Sequence, residues 1–489
     1  MKKSNYALTA AMVAAIASGA ASASNRALTE DADVIINLSG ATAQNANIKN
    51  AVGTLCQSGT LETYSSKSSS SRYIDYFCLS SDIQGLTNGQ KILIRYSSYS
   101  TVVGNTTFAP GTSASGSLLG AAPIVTKNKI NFMAVSKSTP VGACVESTTT
   151  TSTFTCDDAV PGVLVPYVSQ LGTSDLHPRM FVLQNAPFEA GSVSTADVAK
   201  MKITPGPVTI FNTPVTKVLR DALQDVQLKN GELLKEGCAD LSDREKGVCT
   251  PNLSADHLQK IWLGEVSSWK EIIPELGDKP IKLVRRDIGS GTGGSLNIAI
   301  ASKLYTDLSK AYPCVPGAQP PIYSGVNVAV AAGGSDMETA LVNLSKAGDY
   351  GMGILNPTAN GAGNNVGGSK DYRYIRIEGK APTLVAAAAG EYKFVTQSTF
   401  QRLATGAGTN LEVALMDALV AKATDPIIIA KGNAGLTYKQ NFGGSGYLAV
   451  RDASCKSAAE CDISPVTNFR FASNPAAEPN NCVAPKSVW

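Results

Sequence analysis

The chain has 489 residues, of which 43% are hydrophobic and 17% are charged. This balance predicts a folded protein of two or three domains and excludes disorder over most of the chain. The formal net charge is only +3, part of which belongs to Lys2 and Lys3 at the N-terminus. The charge therefore gives no basis for binding nucleic acid or an acidic membrane surface.

The N-terminus has the features of an export signal. "MKK" is a short basic segment, "ALTAAMVAAIASGA" is apolar, and Ala21-Ser22-Ala23 forms an A-x-A cleavage site. The apolar run is shorter than the roughly 20 residues that span a bilayer. We therefore predict a signal peptide over 1–23 and a mature protein that is periplasmic or secreted, with no stable insertion into the membrane.

Strand-like and helix-like segments alternate from residue 33 onward. Strands are predicted at "DVIINLSG" (33–40), "KILIRYS" (91–97), "INFMAVS" (130–136), "PVTIFN" (207–212), "KPIKLVRRD" (279–287) and "YGMGIL" (350–355). Helices are predicted at "NANIKNAVGTL" (45–55), "LSADHLQKIWLG" (253–264) and "METALVNLSKAG" (337–348). Such alternation predicts an α/β protein with mainly parallel sheets, in which ligands bind beyond the carboxyl ends of the strands.

The ten cysteines indicate disulfide bonds. In an oxidising compartment an even number of cysteines favours disulfides, and a metal site is disfavoured because the sequence has no C-x-x-C motif and only two histidines. Spacing leaves the connectivity open but suggests five pairs: Cys56–Cys78, Cys144–Cys156, Cys238–Cys249, Cys455–Cys461 and, over a long range, Cys314–Cys482. We expect neither a metal nor a cofactor.

The segment "VRRDIGSGTGGSLN" (284–297) has the pattern G-x-G-x-x-G, which raises the possibility of a nucleotide site. Two arginines and an aspartate interrupt the apolar approach that a dinucleotide site needs, and the lysine of a P-loop is missing. The residues around Ser290 also fail the G-x-S-x-G pattern of a hydrolase nucleophile.

Two possibilities remain for this loop. One is a glycine-rich turn without a ligand. The other is an anion site, in which N–H groups of Ser290, Gly291 and Thr292 at a helix start act together with the planar guanidinium of Arg286.

Several segments, in the same order, resemble the phosphate-binding proteins of bacterial ABC transporters. The most specific is "LSADHLQKIWLGEVSSWKEI…IKLVRRDIGSGTGGS", a helix ending in Trp-Leu-Gly followed by a strand and an Arg…Ser-Gly-Thr loop. It is accompanied by "LSGATAQ" (38–44), "GTSDLHP" (172–178), "GPVTIFNTPV" (206–215), "GSDMETALVNLSKAGDYGMGIL" (334–355) and "YRYIRIEGKAPT" (372–383). The resemblance spans most of residues 33 to 400.

The resemblance implies a type II periplasmic-binding-protein fold, in which two α/β lobes joined by two crossover strands enclose a ligand cleft. Lobe 1 would use 30–208 and, with the C-terminal tail, 357–489; lobe 2 would use 209–356. It also implies a monomer without enzymatic activity that captures a small oxyanion, above all inorganic phosphate, for uptake through an ABC transporter permease.

The resemblance also implies a set of ligand-binding residues. Lobe 1 would supply Ala41, Thr42, a hydroxyl group from Ser100 or Thr101, and Asp175, and lobe 2 would supply Arg286, Ser290, Gly291 and Thr292. A buried Asp175 would accept a hydrogen bond from a protonated anion and repel a fully ionised one, which favours phosphate over sulfate. Without the resemblance, Asp175 also fits a turn or a helix cap.

Two positions depart from the family pattern. Ile288 occupies the place of an aspartate near the family's arginine, and the neighbouring Asp287 would face the other way if the strand continued. "TAQN" (42–45) replaces the continuation into Phe-Pro. These departures leave the identity of the anion open.

Two other functions are compatible with the sequence. A secreted adhesion or assembly protein that reuses the fold is favoured by the disulfide-closed loops and by the absence of a cysteine after the cleavage site. A phosphate-ester hydrolase is less favoured, because the sequence offers Ser290 neither a convincing base nor a metal set.

Overall fold

The structure is a computed structural model that describes residues 28–68, 72–103, 113–115, 129–185, 193–232, 235–240, 242–318, 321, 325, 327–357, 370–435, 441–450, 466–467, 469–470 and 480–487. The predicted signal peptide and the predicted pair Cys455–Cys461 lie outside these residues.

The strands, numbered in chain order, are β1 (Val34–Gly40), β2 (Glu62–Ser66), β3 (Tyr73–Leu79), β4 (Lys91–Ser97), β5 (Tyr99–Val103), β6 (Ser113–Ser115), β7 (Lys129–Met133), β8 (Cys144–Glu146), β9 (Thr153–Cys156), β10 (Leu164–Val168), β11 (Leu171–Ser174), β12 (Met201–Ile210), β13 (Val215–Thr216), β14 (Asn252–Leu253), β15 (Lys282–Arg286), β16 (Val328–Ala331), β17 (Gly351–Met352), β18 (Tyr372–Arg373), β19 (Arg376–Ile377), β20 (Val395–Leu403), β21 (Tyr447–Val450), β22 (Val466–Thr467), β23 (Phe469–Arg470) and β24 (Lys486–Ser487).

The α-helices of the described residues are Leu28–Asp31, Asn45–Leu55, Thr195–Val198, Lys217–Lys229, Lys235–Cys238, Ala255–Leu263, Gly291–Ala299, Gly334–Lys346, Leu384–Ala388, Asn410–Thr424 and Pro426–Gly435. None of them is long and apolar enough to cross a membrane.

The larger lobe is built on an 11-stranded sheet with the order β22-β21-β12-β20-β11-β1-β4-β3-β2-β9-β8. At its centre β1 lies parallel to β4 and β11, whereas β3 is antiparallel to both β2 and β4. The prediction of mainly parallel sheets is therefore correct for the neighbours of β1 and for the pairs β2–β9 and β21–β22. The remaining neighbouring pairs of this sheet are antiparallel. Because short connections join β2 to β3 and β3 to β4, these strands pair as hairpins, and parallel neighbours would need long crossovers.

The smaller lobe is built on a five-stranded sheet with the order β16-β15-β17-β13-β18. Here β15 is parallel to β16 and β17, and β13 is antiparallel to β17 and β18. The strands of this sheet run from Val215 to Arg373, beyond residue 356, the limit predicted for the second lobe.

Two long strands connect the lobes. β12 leads from the larger sheet into the smaller lobe, and β20 returns the chain to the larger sheet. They pair antiparallel from Met201 opposite Leu403 to Ile210 opposite Val395, with a register shift between Pro205 and Val208. Proline lacks the N–H group that a ladder needs, which explains the irregularity there. Two α/β lobes joined by two crossover strands confirm the predicted fold class.

One cluster of buried apolar side chains continues from lobe to lobe. It contains Leu176 and Phe181 of the larger lobe together with Leu296, Trp262 and Trp269 of the smaller lobe. A second cluster packs the helices Asn45–Leu55 and Asn410–Thr424 against the larger sheet. The lobes are therefore packed against each other, and the crossover strands are not their only connection.

Among the described residues, four disulfide bonds are formed: Cys56–Cys78, Cys144–Cys156, Cys238–Cys249 and Cys314–Cys482. The four predicted pairs whose cysteines the structure describes are therefore confirmed, including the long-range one.

Candidate functional site

The helix Gly291–Ala299 points its N-terminus into the contact between the lobes. It starts five residues after β15, and Ser290 caps it by accepting a hydrogen bond from the Gly293 N–H group at 3.3 Å. Ser290 and Thr292 are only 4% and 3% exposed. The first-turn N–H groups have no partner within the helix, so this buried end favours a negatively charged group.

Arg286 is the last residue of β15 and lies beside this helix. Its side chain is 5% exposed, and Nη2 donates to the carbonyl oxygen of Ala332 at 3.1 Å, while Nε has no hydrogen-bond partner among the described residues. Burial lowers the pKa of Arg286, and the carboxylates of Asp287 and Asp175 act in the opposite direction. A guanidinium remains charged even so. Arg286 therefore places a buried positive charge beside the helix end.

The adjacent Arg285 has a different role. Its Nη2 donates to Asn297 Oδ1 at 2.8 Å, and its guanidinium lies 5.7 Å from the ring centre of Trp262. Successive side chains of a strand point to opposite faces, so Arg285 belongs to the interior of the smaller lobe.

Asp175 brings a carboxylate from the larger lobe to the same place. It follows β11 directly and is 2% exposed, and its Oδ2 accepts a hydrogen bond from Thr292 Oγ1 at 3.3 Å. Burial raises the pKa of Asp175 to about 6, although hydrogen bonds from Gln44 and Thr292 and the charge of Arg286 oppose the rise. The structure thus brings Asp175, Arg286, Ser290, Gly291 and Thr292 together.

Gln44 is a site residue that the sequence did not predict. It is fully buried, it hydrogen-bonds to the Asp175 carboxylate, and its Nε2 also donates to Thr209 Oγ1 on β12 at 2.9 Å. Gln44 thus links Asp175 to a crossover strand. The signal in the sequence was the departure "TAQN", which replaces an apolar continuation with an amide.

Ala41 and Thr42 lie at the carboxyl end of β1, as expected. The Ala41 N–H group donates to the carbonyl oxygen of Thr173 at 3.0 Å, and its carbonyl accepts from the Tyr96 hydroxyl at 2.6 Å. This N–H group is therefore engaged in the sheet, and the ligand-binding role of Ala41 stays a prediction. Thr42 begins the 3-10 helix Thr42–Gln44 and is half-buried, which leaves it beside the site.

Ser100 and Thr101 lie on β5, where the backbone pairs with β6, and their side chains lie outside the described residues. A different serine, Ser97, lies at the end of β4 beside β1. Ser97 ends β4 opposite Ser39 of β1, is fully buried, and its Oγ has no hydrogen-bond partner among the residues that the structure describes. The sequence alone could not show which of these neighbouring hydroxyl groups is buried beside β1.

Ile288, where the sequence departs from the family pattern, lies next to a partly buried carboxyl group. Ile288 is 38% exposed, and Asp287 lies just beyond the end of β15, so the alternation that would turn it away no longer applies. Asp287 interacts electrostatically with Arg286, and burial raises the Asp287 pKa while Arg286 lowers it. Asp287 therefore places a carboxyl group beside Arg286.

Gly294 contributes to the packing of the lobes. A Cβ atom at Gly294 would lie 2.5 Å from Leu176 Cδ1, closer than real contacts allow. A side chain at position 294 would therefore require the Leu176 side chain of the larger lobe to shift.

The groups that the structure brings together are of kinds that can bind an anion. The anion cradle, which we define as Arg286, Ser290, Gly291 and Thr292, offers a guanidinium, hydroxyl groups and helix N–H groups, and Asp175 adds one acceptor. No group of three or more His, Cys, Asp or Glu residues within the described ranges is arranged to hold a metal ion.

No protein-family model matches the chain. Solved structures of phosphate-binding proteins are similar to it at low identity. A candidate phosphate ABC transporter substrate-binding protein from Clostridium perfringens, with bound phosphate, is 11% identical, with 81% of this chain and 97% of that chain covered and a TM-score of 0.41. PstS from Borrelia burgdorferi is 11% identical, with 82% and 97% covered and a TM-score of 0.33. A phosphate-binding protein from Stenotrophomonas maltophilia is 16% identical, with 51% and 69% covered and a TM-score of 0.29. Because these identities and TM-scores are low, the fold assignment rests on the strand order described under the overall fold.

Proposed function

We propose that the protein is a solute-binding protein that captures a small tetrahedral oxyanion, inorganic phosphate above all, between its lobes. The observation that supports this most is the contact between Thr292 and Asp175, which joins the cradle of one lobe to the carboxylate of the other. A ligand held by both lobes favours their closed arrangement, which is how a hinged binding protein works.

The mixture of charges favours phosphate among the oxyanions. Arg286 and the helix N-terminus attract a negative charge, whereas Asp175 repels one unless the ligand carries a proton. Phosphate keeps a proton near neutral pH and sulfate does not. Asp175 would therefore accept the hydrogen bond of a protonated phosphate oxygen.

The surroundings of Ser290 favour binding of a ligand without chemical conversion, because the described residues offer the serine no adjacent base. Ser290 Oγ caps its own helix by accepting from the Gly293 N–H group. Of the two histidines, His177 Nδ1 accepts from the Arg179 N–H group, and His257 lies on the helix Ala255–Leu263 of the same lobe as Ser290, where its Nδ1 has no hydrogen-bond partner among the described residues. Serine needs an adjacent base to act as a nucleophile. We therefore propose capture of the anion for uptake, with an ABC transporter permease as the partner, in the periplasm.

Titration calorimetry tests this proposal. We expect phosphate to bind the wild-type protein at micromolar concentration, and Arg286→Met to weaken binding by at least about 100-fold, because a desolvated charge pair is lost. Arg179→Met removes an exposed arginine of the larger lobe and should leave the affinity unchanged. If no oxyanion binds the wild-type protein below millimolar concentration, the proposed function is wrong.

A further inference from the structure

The C-terminal segment 480–487 contacts both lobes. Cys482 forms the disulfide with Cys314 of the smaller lobe, 168 positions earlier. The preceding Asn481 is fully buried, and its Oδ1 accepts a hydrogen bond from the backbone N–H group of His177 at 2.8 Å. Cys482 Sγ also lies 3.6 Å from Met180 Sδ. Because His177 and Met180 belong to the larger lobe, two adjacent residues join one lobe covalently and the other by buried contacts.

Both attachment points are connected to the anion site. His177 is two residues after Asp175. Cys314 follows the helix of the anion cradle, and the neighbouring Tyr312 N–H group donates to the Asn297 carbonyl of that helix at 3.3 Å. Asn297 in turn donates through Nδ2 to Asn185 Oδ1 of the larger lobe at 2.6 Å. The segment therefore closes a ring. The ring runs from the helix Gly291–Ala299 through the disulfide Cys314–Cys482 to residues 175–181, which we call the Asp175 loop.

We propose that Asn481 is a positioning residue for Asp175, and that segment 480–487, the interlobe strap, holds the Asp175 loop against the cradle before any ligand binds. This inference goes beyond the proposed function, because it concerns how the two halves of the site are kept in register in the free protein.

A buried N–H group without an acceptor is unfavourable, so the His177 backbone stays where Asn481 can accept its hydrogen bond. The disulfide limits how far Asn481 can move, since the Cα atoms of Cys314 and Cys482 are only 5.4 Å apart. A hydrogen bond to a tethered partner loses little entropy when it re-forms. The Asp175 loop therefore remains near the smaller lobe.

Hydrogen exchange of the ligand-free protein, followed by mass spectrometry, tests the strap without assuming any ligand. The variants are Asn481→Leu, which removes the acceptor, and the double variant Cys314→Ser/Cys482→Ser, which keeps Asn481 but releases the tether. We expect exchange in the peptide that contains 175–181 to become about tenfold faster in both variants, because the loss of one buried hydrogen bond has this magnitude.

Gln227→Leu is the matched control. Gln227 is 3% exposed, accepts from the Asn252 N–H group at 3.0 Å and donates to the Asn252 carbonyl at 2.6 Å, all within the smaller lobe. This variant loses a comparable buried amide, so it should lower overall stability without accelerating exchange in 175–181.

A binding measurement completes the test, and this part rests on the proposed function. Asn481→Leu should increase the phosphate dissociation rate about tenfold while the association rate changes little. The strap proposal is wrong if exchange in 175–181 is unchanged in the double cysteine variant, and this outcome is decisive even if Asn481→Leu does not fold. The proposal is also wrong if Gln227→Leu accelerates exchange in 175–181 as much as the strap variants do. If the wild-type protein binds no phosphate but exchange follows the expectation, the proposed function fails and the strap stands.

Discussion

In the proposed function, the choice of anion depends on the side chain of Asp175. Its carboxylate accepts a hydrogen bond from the cradle residue Thr292, and its burial raises its pKa to about 6. Near pH 8 it is therefore ionised and can only accept hydrogen bonds. A ligand oxygen that carries a proton can donate to it, and one that carries none is repelled.

Asp175→Asn should weaken the discrimination between phosphate and sulfate. The amide can donate to a fully ionised oxygen, so we expect sulfate to bind more tightly and phosphate about tenfold or more weakly than in the wild-type protein. Calorimetry with both anions at pH 8 measures the ratio of the two dissociation constants. A ratio equal to that of the wild-type protein would show that Asp175 does not select the ligand.

Asp75 is a buried carboxylate remote from the cradle, and it should make stability depend on pH. It is fully buried on β3 opposite Arg95 of β4, and neither of its oxygens has a hydrogen-bond partner among the described residues. Burial raises its pKa from 3.8 to about 8, although Arg95 opposes the rise. Above about pH 4 the unfolded chain has released the Asp75 proton, whereas the folded protein still holds it. The contribution of Asp75 to the stability of the folded state is therefore lost as the pH rises through 8.

Urea unfolding at pH 5, 6.5 and 8 measures this effect. The free energy of unfolding of the wild-type protein should include a loss of up to about 1.4 kcal/mol per pH unit from this group. Asp75→Asn mimics the neutral carboxyl and cannot titrate, so its stability should fall less steeply over this range. Parallel pH profiles for the two proteins would contradict the assignment.

The residues that the sequence did not identify are those whose partners are distant in the chain. Gln44 bonds to Thr209 across 165 positions, and His177 bonds to Asn481 across 304. No local pattern carries such contacts. Arg286, Ser290 and Thr292, in contrast, occupy one short loop, and their grouping at a helix start follows from local rules alone.

At the scale of secondary structure, local periodicity predicted the elements closely. The helix Asn45–Leu55 and the strand Lys91–Ser97 have the predicted bounds, and Ser254 caps the helix Ala255–Leu263. Strand direction was predicted less well, because it depends on whether a connection forms a hairpin or a crossover. The antiparallel β3 between β2 and β4 shows this.

Gly40 is the last residue of β1 and precedes Ala41 and the 3-10 helix Thr42–Gln44. Its φ is +144°, and a Cβ atom there would lie 1.8 Å from the carbonyl oxygen of Thr173. Gly40→Ala should therefore destabilise the protein by about 3 kcal/mol or more, because both the backbone conformation and the contact with β11 oppose a side chain. Thermal and urea unfolding measure the change.

Gly53 provides the control for this prediction. It lies in the helix Asn45–Leu55, and a Cβ atom there would meet nothing within 4 Å. Gly53→Ala should raise the free energy of unfolding by about 0.5–1 kcal/mol, since alanine favours a helix interior more than glycine does. Equal effects of the two substitutions would contradict the structure around Gly40.

At the scale of the whole molecule, the lobes should unfold together. They share a cluster of buried apolar side chains, two crossover strands and the disulfide Cys314–Cys482. Phosphate at about 100 times its dissociation constant should add about 2.7 kcal/mol to the stability of the closed form. Calorimetric unfolding should show one transition that phosphate moves to higher temperature. Two transitions, of which phosphate moves only one, would show that the lobes fold independently.

The central claim is that an oxyanion binds between Asp175 and the anion cradle, and a crystal structure of the protein grown with phosphate tests it most directly. We predict one phosphate ion enclosed by both lobes, with Arg286 and the Thr292 hydroxyl donating to it and Asp175 accepting from its protonated oxygen. A structure in which saturating phosphate leaves this place without an anion, or in which phosphate binds only at the surface, would contradict the account.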